Sequence, residues 1–536
     1  MKHGLGIAIF SVLASVSLAI VGCGGSGSGM GVLEPYPTGG PGGQGGSGGG
    51  TPRPPRPPEA GSAYEVLESN KLYNPIAQVY APELDKVFFV QGFSLTNTQI
   101  PESELEYRLM SYDPRDGSDG NLAKAQEVKF IFRDQNNQEE RDWKGLQSPY
   151  GIAYTYDNMG TEDASDDRFY LGITDVGTTK RVYLLEFRKD KEGQWEGKAK
   201  DILTSGGMSS SYPLNCAFDQ NLLFWTDYTG GKVCAFSFRD FVWENDTNDV
   251  IWNKDVIAGL QFPAAIKTDG PVGAVTCQGD NKIVLFKINQ PAADLEKQNE
   301  NNWTDGEHGY PLQTDGPWRN YILPEDKYES TYNRAFDLAW TQVTGEGETG
   351  ANYYLVATSG NTLPISGLSD SSKDNGTLWI YDASAYIKYD NAGELDLEDL
   401  RQVTDSAEYK LLLEDLAFPV NPCFPRQAAQ TWENPYIDIA FLTTGSATSP
   451  DNHETLGAIN LVRYNWQTKS VEEGFTQTVI DKLEDPFALI VNPVFNQLDS
   501  LAFLYVTHWN WSYKTNTGGK LENGHVFGVR GYVPQE

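Results

Sequence analysis

Asp175, Asp227, Arg334, His508, Trp509 and Trp511 are the side chains best placed by type and context to do chemistry. Asp175 and Asp227 each follow a threonine at the end of an apolar stretch, in ITD and WTD. A carboxylate there could bind a ligand or a metal, or it could accept backbone amides and fix its own turn. Cys277, Ser359, Thr444 and His508 hold the matching place in other stretches. The ordinary pKa of histidine lies near neutrality, so His508 could serve as a general base; alone it makes no catalytic set. Trp509 and Trp511, in HWNWSY, could stack on sugar rings or on a partner's apolar surface, or pack on neighbouring strands. Arg334, in NRAFD, could bind an anion or pair with Asp337.

The sequence holds no phosphate-cradling GxxxxGK[ST], no HExxH, no CxxCH and no GxSxG elbow. Accordingly no catalytic residue, metal ligand or cofactor is assigned. Calcium stands as an alternative through DPRDGSDGN at 113–121, DNAGELD at 390–396 and the segment Asp157 to Asp167. None matches an EF-hand loop with its terminal Glu. The first two follow a third strand, where a polar hairpin is expected anyway.

These residues need a frame, and the frame is written in repeats. Tyr212 to Phe238 reads as three short strands, led by a proline and closed by a tight Gly230-Gly231 turn of the positive-φ kind. Six more stretches share its layout. Their first strands begin at Asn74-Pro75, Ser148-Pro149, Phe262-Pro263, Asn333-Arg334, Phe418-Pro419 and Asp485-Pro486. The second strands are apolar and mostly end in threonine, as in FYLGITD, LLFWTD and AFLYVTH. A fourth strand precedes each new proline, as in KDVIAGLQFP and YKLLLEDLAFP. The last unit has no room for one, yet YEVLESNKLYNP at 64–75 has that form ahead of the first unit. The expectation is an all-β, seven-bladed β-propeller closed by its N-terminal strand, with residues 64–67 beside those near 526–532.

The WTD hairpin resembles a repeat of the YWTD and NHL propeller classes. Those classes usually have six blades, so a six-bladed ring is the alternative. In propellers the loops between strands two and three share a face with those leading into strand one. The channel mouth on that face is the default concave site. Lyase-like and lactonase-like propellers place a histidine pair or a metal there, and neither set maps onto this chain.

Net charge is −32 over 536 residues, which argues against nucleic acid and against direct adhesion to anionic lipid. Of five cysteines, Cys216, Cys234, Cys277 and Cys423 read as small buried hydrophobes, with one bridge as the alternative. Residues 1–23 read as an export signal: Lys2, an apolar run from Leu5 to Ile20, then small residues. Its end, LAIVGC, resembles the lipobox of bacterial lipoproteins, which implies lipid on Cys23 and acylation, palmitate included, of the new terminus. An ordinary signal peptide that contains a cysteine is the alternative. Gly24 follows where aspartate would mark inner-membrane retention, so the resemblance implies the outer membrane of a diderm cell envelope. Residues 24–62 form a Gly/Pro/Ser-rich disordered linker, about 40 Å or more in reach, before a propeller domain at 63–536.

The function expected is a binding or scaffolding module for a protein or polysaccharide partner, lipid-anchored outside the cytoplasm. The alternative is a lyase- or lactonase-like enzyme, with a metal at the channel mouth near Asp175, Asp227 and His508.

Overall fold

The computed structural model describes residues 61–68, 72–92, 108–133, 139–140, 145–161, 164–177, 180–201, 212–219, 222–237, 254–269, 272–279, 282–287, 319–322, 333–344, 351–361, 376–384, 387–389, 395–397, 409–426, 434–445, 456–472, 474–483, 486–497, 499–507 and 524–534. The chain is a seven-bladed β-propeller. Blade by blade, the innermost strands are Pro75–Ala81, Pro149–Asp157, Pro213–Asp219, Pro263–Asp269, Asn333–Thr344, Pro419–Cys423 and Pro486–Val491. Each touches the next, and the seventh touches the first, which closes the ring.

Six of the seven open on proline, which lacks an N–H and is tolerated at the first residue of an edge strand. Every one then carries a register shift within three residues of that start or, in blade 5, just after Ala335, the signature of a β-bulge. Outward from the axis, blade 3 adds Leu222–Asp227, Lys232–Ser237 and Lys254–Ile257, as the sequence predicts. Blade 2 goes further. Ile131–Arg133 lies parallel to its fourth strand, Trp195–Asp201, so the chain leaving blade 1 widens its neighbour.

The N-terminal strand Ser62–Glu65 pairs antiparallel with His525–Tyr532 and becomes the outermost strand of blade 7. Tyr64 stands opposite Gly528, where an added Cβ would meet the Tyr64 ring at 2.4 Å; the glycine makes room for the aromatic lid. Gly61 N–H donates to Arg530 O at 2.7 Å and Val66 N–H to Val526 O at 2.8 Å, extending the zip at both ends.

The Gly230-Gly231 turn departs from the two-residue hairpin expected. Asp227 pairs with Lys232, so the loop has four residues, and of the two glycines Gly231 alone has positive φ, at 65°. Gly230 is small for another reason, given below. The four cysteines are free thiols, three buried and Cys423 half-buried. Trp225 stands in register between Cys216 and Cys234, which keeps those two strands from bridging.

Apolar side chains pack in layers between successive blades rather than in one central ball. Cys216, Leu223 and Trp225 of blade 3 pack with Tyr170, Val182 and Leu184 of blade 2. Ala217, Leu222 and Phe224 pack with Ile266, Val275 and Phe286 of blade 4. Burying both faces of each sheet is why the second strands are nearly continuous apolar runs.

Candidate functional site

One bulge residue from each blade, Ile76, Tyr150, Leu214, Ala264, Phe336, Val420 and Phe487, joins a single apolar cluster, and none is more than 2% exposed. Tyr228 of blade 3 joins the same cluster and packs on Phe262, and Phe336 meets Phe418 of blade 6 edge-on at 4.8 Å. At that face the described inner strands thus present buried apolar side chains, a plug of one residue from each blade. Six plug residues directly follow the strand-opening proline, and Phe336 follows Ala335, which pairs with Ser359 as Pro213 pairs with Asp227; an apolar residue there reads simply as strand core.

The repeated threonines explain how the plug is held. A bulge leaves one inner-strand N–H without a ladder partner, and a buried orphan amide is costly. Gly151 N–H donates to Thr174 Oγ1 at 2.8 Å, Asn215 N–H to Thr226 Oγ1 at 3.1 Å, Ala265 N–H to Thr276 Oγ1 at 3.0 Å and Asp337 N–H to Thr358 Oγ1 at 3.2 Å. Three of these hydroxyls pass the bond on to the next blade: Thr174 to Leu214 O at 2.7 Å, Thr226 to Ala264 O at 2.8 Å and Thr276 to Phe336 O at 2.9 Å. Amides and carboxylates do the same work further round. Asn421 N–H donates to Asp337 Oδ2 at 3.0 Å, Asn421 Nδ2 to Phe487 O at 3.1 Å, and Gln78 Nε2 to Leu504 O at 3.0 Å.

Asp175 and Asp227, one residue beyond those threonines, are buried and turned into their own loops. Asp175 accepts the amides of Gln147 at 2.6 Å, Ser148 at 2.9 Å and Gly177 at 2.9 Å. Burial raises its pKa; those amides and the Arg108 charge oppose the rise. Asp227 accepts from Tyr212 N–H and Gly230 N–H, both at 2.9 Å. A Cβ on residue 230 would lie 2.1 Å from Asp227 Oδ2, so the carboxylate occupies the place of that side chain. The geometry is that of the turn-fixing alternative.

Tyr228 bonds Gln278 Oε1 at 2.9 Å across blades 3 and 4, while Ser359 bonds Thr377 within blade 5. Cys277 is wholly buried. Arg334 lies on the innermost strand of blade 5 opposite Gly360, and its side chain is outside the described residues. His508, Trp509, Trp511 and Cys23 are likewise outside them.

Two loops considered for calcium are self-satisfied hairpins where described. Asp113 and Asp119 accept the amides of Arg115 and Asn121, both at 2.9 Å, and the Arg115 guanidinium sits on Asp113 and Asp85. Asp157 accepts Met159 N–H at 2.7 Å. Residues 390–394 lie outside the described set.

The opposite end of the inner strands holds carboxylates that the sequence reading passed over. Asp219 ends the innermost strand of blade 3 and Asp269 that of blade 4. Asp219 is 4% exposed, and its Oδ2 has no hydrogen-bond partner. Burial, then the charge of Asp269, pushes its pKa up to about 7. Asp269 is half-buried and accepts Gln342 Nε2 of blade 5 at 2.7 Å; burial raises its pKa and that bond opposes the rise. The available signal was recurrence: YTYD, CAFD and IKTD end three consecutive first strands in aspartate.

No protein-family model matches the chain, and no curated protein does. Among solved structures, a protein of Bacteroides uniformis described as a 6-phosphogluconolactonase overlaps with a TM-score of 0.34 at 10% identity, over 76% of this chain and 85% of that one. An ancestral GH74 enzyme reaches 0.40 at 10% identity, over 89% of this chain and 50% of that one. AztD of Citrobacter koseri, in its apo form, reaches 0.33 at 9% identity, over 81% and 82%. Overlaps this loose say nothing of residue roles.

Proposed function

We propose that the chain is a membrane-anchored, extracytoplasmic propeller lipoprotein that binds or scaffolds a protein or polysaccharide. One observation carries this reading: the recurrent polar residues among the described ones fasten blade to blade and turn to strand. A ring built this way is a rigid platform, and recognition falls to the loops that differ between units. Long connections at 93–106, 359–376, 444–456 and 508–524 join second strands to third strands, and they lie largely outside the described residues. Anchoring through Cys23 at the outer membrane rests on LAIVGC and the Gly/Pro stalk behind it. Kinship with the NHL and YWTD propellers rests on the WTD hairpin.

Replacing 508–523 with a short Asn-Gly turn should abolish capture of envelope protein or polysaccharide in a pull-down while thermal unfolding is unchanged, because Thr507 and His525 still pair across it. Undiminished capture rejects that surface. Cys23→Ala should release the protein from the membrane fraction and abolish incorporation of labelled palmitate; membrane retention without label overturns the lipid anchor.

The rival reading places a metal between Asp175, Asp227 and His508, as in a lyase- or lactonase-like enzyme. It requires Asp175 to release three backbone amides and Asp227 two, at a cost of about 1–3 kcal/mol for each buried amide left unpaired. Stoichiometric divalent metal in the purified protein, lost together in Asp175→Asn and Asp227→Asn, would revive it.

A further inference from the structure

We propose that Glu65 and His525 form a pH-sensitive clasp on the strand that closes the ring: protonation of the imidazole tightens the closure, and loss of that proton relaxes it. The closing strand Ser62–Glu65 pairs through four residues, from Ser62 opposite Arg530 to Glu65 opposite Phe527. At the Glu65 end, His525 Nδ1 lies 2.9 Å from Glu65 Oε1. The imidazole is held in place for that contact. The His525 backbone N–H donates to Thr507 Oγ1 at 3.1 Å, and the imidazole stacks on Phe527 at 5.3 Å with 22° between the planes. Phe527 stacks in turn on Tyr505, also at 5.3 Å.

Histidine is the side chain whose ordinary change of charge falls between about pH 5 and 8, where a carboxylate is ordinarily ionised. A neutral imidazole offers Glu65 one hydrogen bond. An imidazolium offers the same bond with opposite charges across it, which is the stronger kind. Of the described strands beside His525, Leu501–Thr507 carries no charged residue and Ser62–Glu65 carries Glu65 alone. Gly524 abuts Asn74 and Pro75, which are uncharged, and on the histidine's own strand Arg530 stands towards the other end, opposite Ser62. Glu65 is thus the charge these elements bring to the imidazole. The Glu65 and His525 side chains are 29% and 31% exposed, so water screens the pair only in part. The stability lent by the ion pair is whole at the acid end of the histidine range and is lost as pH rises through it. Its reach is local, because the inner strands of the seven blades hold one another without it.

The test is amide hydrogen exchange of the full chain in detergent, read by mass spectrometry at pH 5 and pH 8 and corrected for the intrinsic pH dependence of exchange. Protection of the segment 61–66 should be about two- to fivefold greater at pH 5, the size that a part-screened ion pair lends. Protection of the inner strand Pro75–Ala81 should not follow it. His525→Gln keeps a hydrogen-bonding group but takes no proton, and Glu65→Gln removes the negative charge; each should flatten the dependence. Thermal unfolding identifies a variant that has lost its fold. Equal protection of 61–66 at both pH values in the native chain overturns the proposal, and so does either folded variant that keeps the dependence.

Discussion

Asp175 and Asp219 are the same residue type, both end strands, both are buried, and they lie at opposite faces of the ring. At one face the carboxylate takes three backbone amides; at the other, one oxygen takes none. Burial pushes both pKa values up, and the amides hold Asp175 back while the neighbouring charge of Asp269 adds to the rise at Asp219. Amide partners therefore separate a carboxylate that builds the scaffold from one whose Oδ2 is left without a donor. Burial alone does not make that distinction.

The contrast is broken or sharpened by three substitutions. Asp175→Ala should cost the most, about 3–5 kcal/mol of unfolding free energy, because three amides lose their acceptor inside the protein. Urea denaturation measures it; a loss under about 1 kcal/mol would erase the distinction between the faces. Gly230→Ala should cost about 1–3 kcal/mol by forcing a methyl into Asp227, read from the same curves. A neutral outcome would mean that the carboxylate moves aside freely.

Asp219→Asn should act in the opposite direction and more gently. The folded carboxyl keeps its proton to about 7 against an ordinary 3.8, so the folded state binds the extra proton between those values. The stability linked to that proton is whole below about pH 4 and is lost as pH rises through about 7. The asparagine variant should thus be about 1–2 kcal/mol more stable than the native chain at pH 8, with a smaller gain at pH 5. Equal gains at both pH values would show that Asp219 does not titrate in this window.

The ring and its closure were legible because they depend on marks that repeat. Pro75, Pro149, Pro213, Pro263, Pro419 and Pro486 announce the inner strands, and the orphan strand at Tyr64 matches the vacancy after the last unit. The threonines were visible, but not their purpose, since that depends on a bulge which composition does not reveal. The plug was hidden for the same reason: Ile76 or Leu214 reads as any strand hydrophobe until the bulge turns it to the axis. Asp219 drew no notice because the sequence records no count of amides within reach. Gly230 misled in a related way, its smallness belonging to Asp227 rather than to its own backbone.

The outermost ribbon of blade 7 is also the first described strand in the chain. Any tug arriving from the N-terminal side is thus delivered to four residues, Ser62–Glu65, and to the Glu65–His525 contact of 2.9 Å at their inner end. Mechanical strain would peel that ribbon before it reached the plug, baring the edge of His525–Tyr532 while the inner strands of all seven blades still gripped one another. The ring has a sacrificial seam, and it is the strand by which the chain enters the fold.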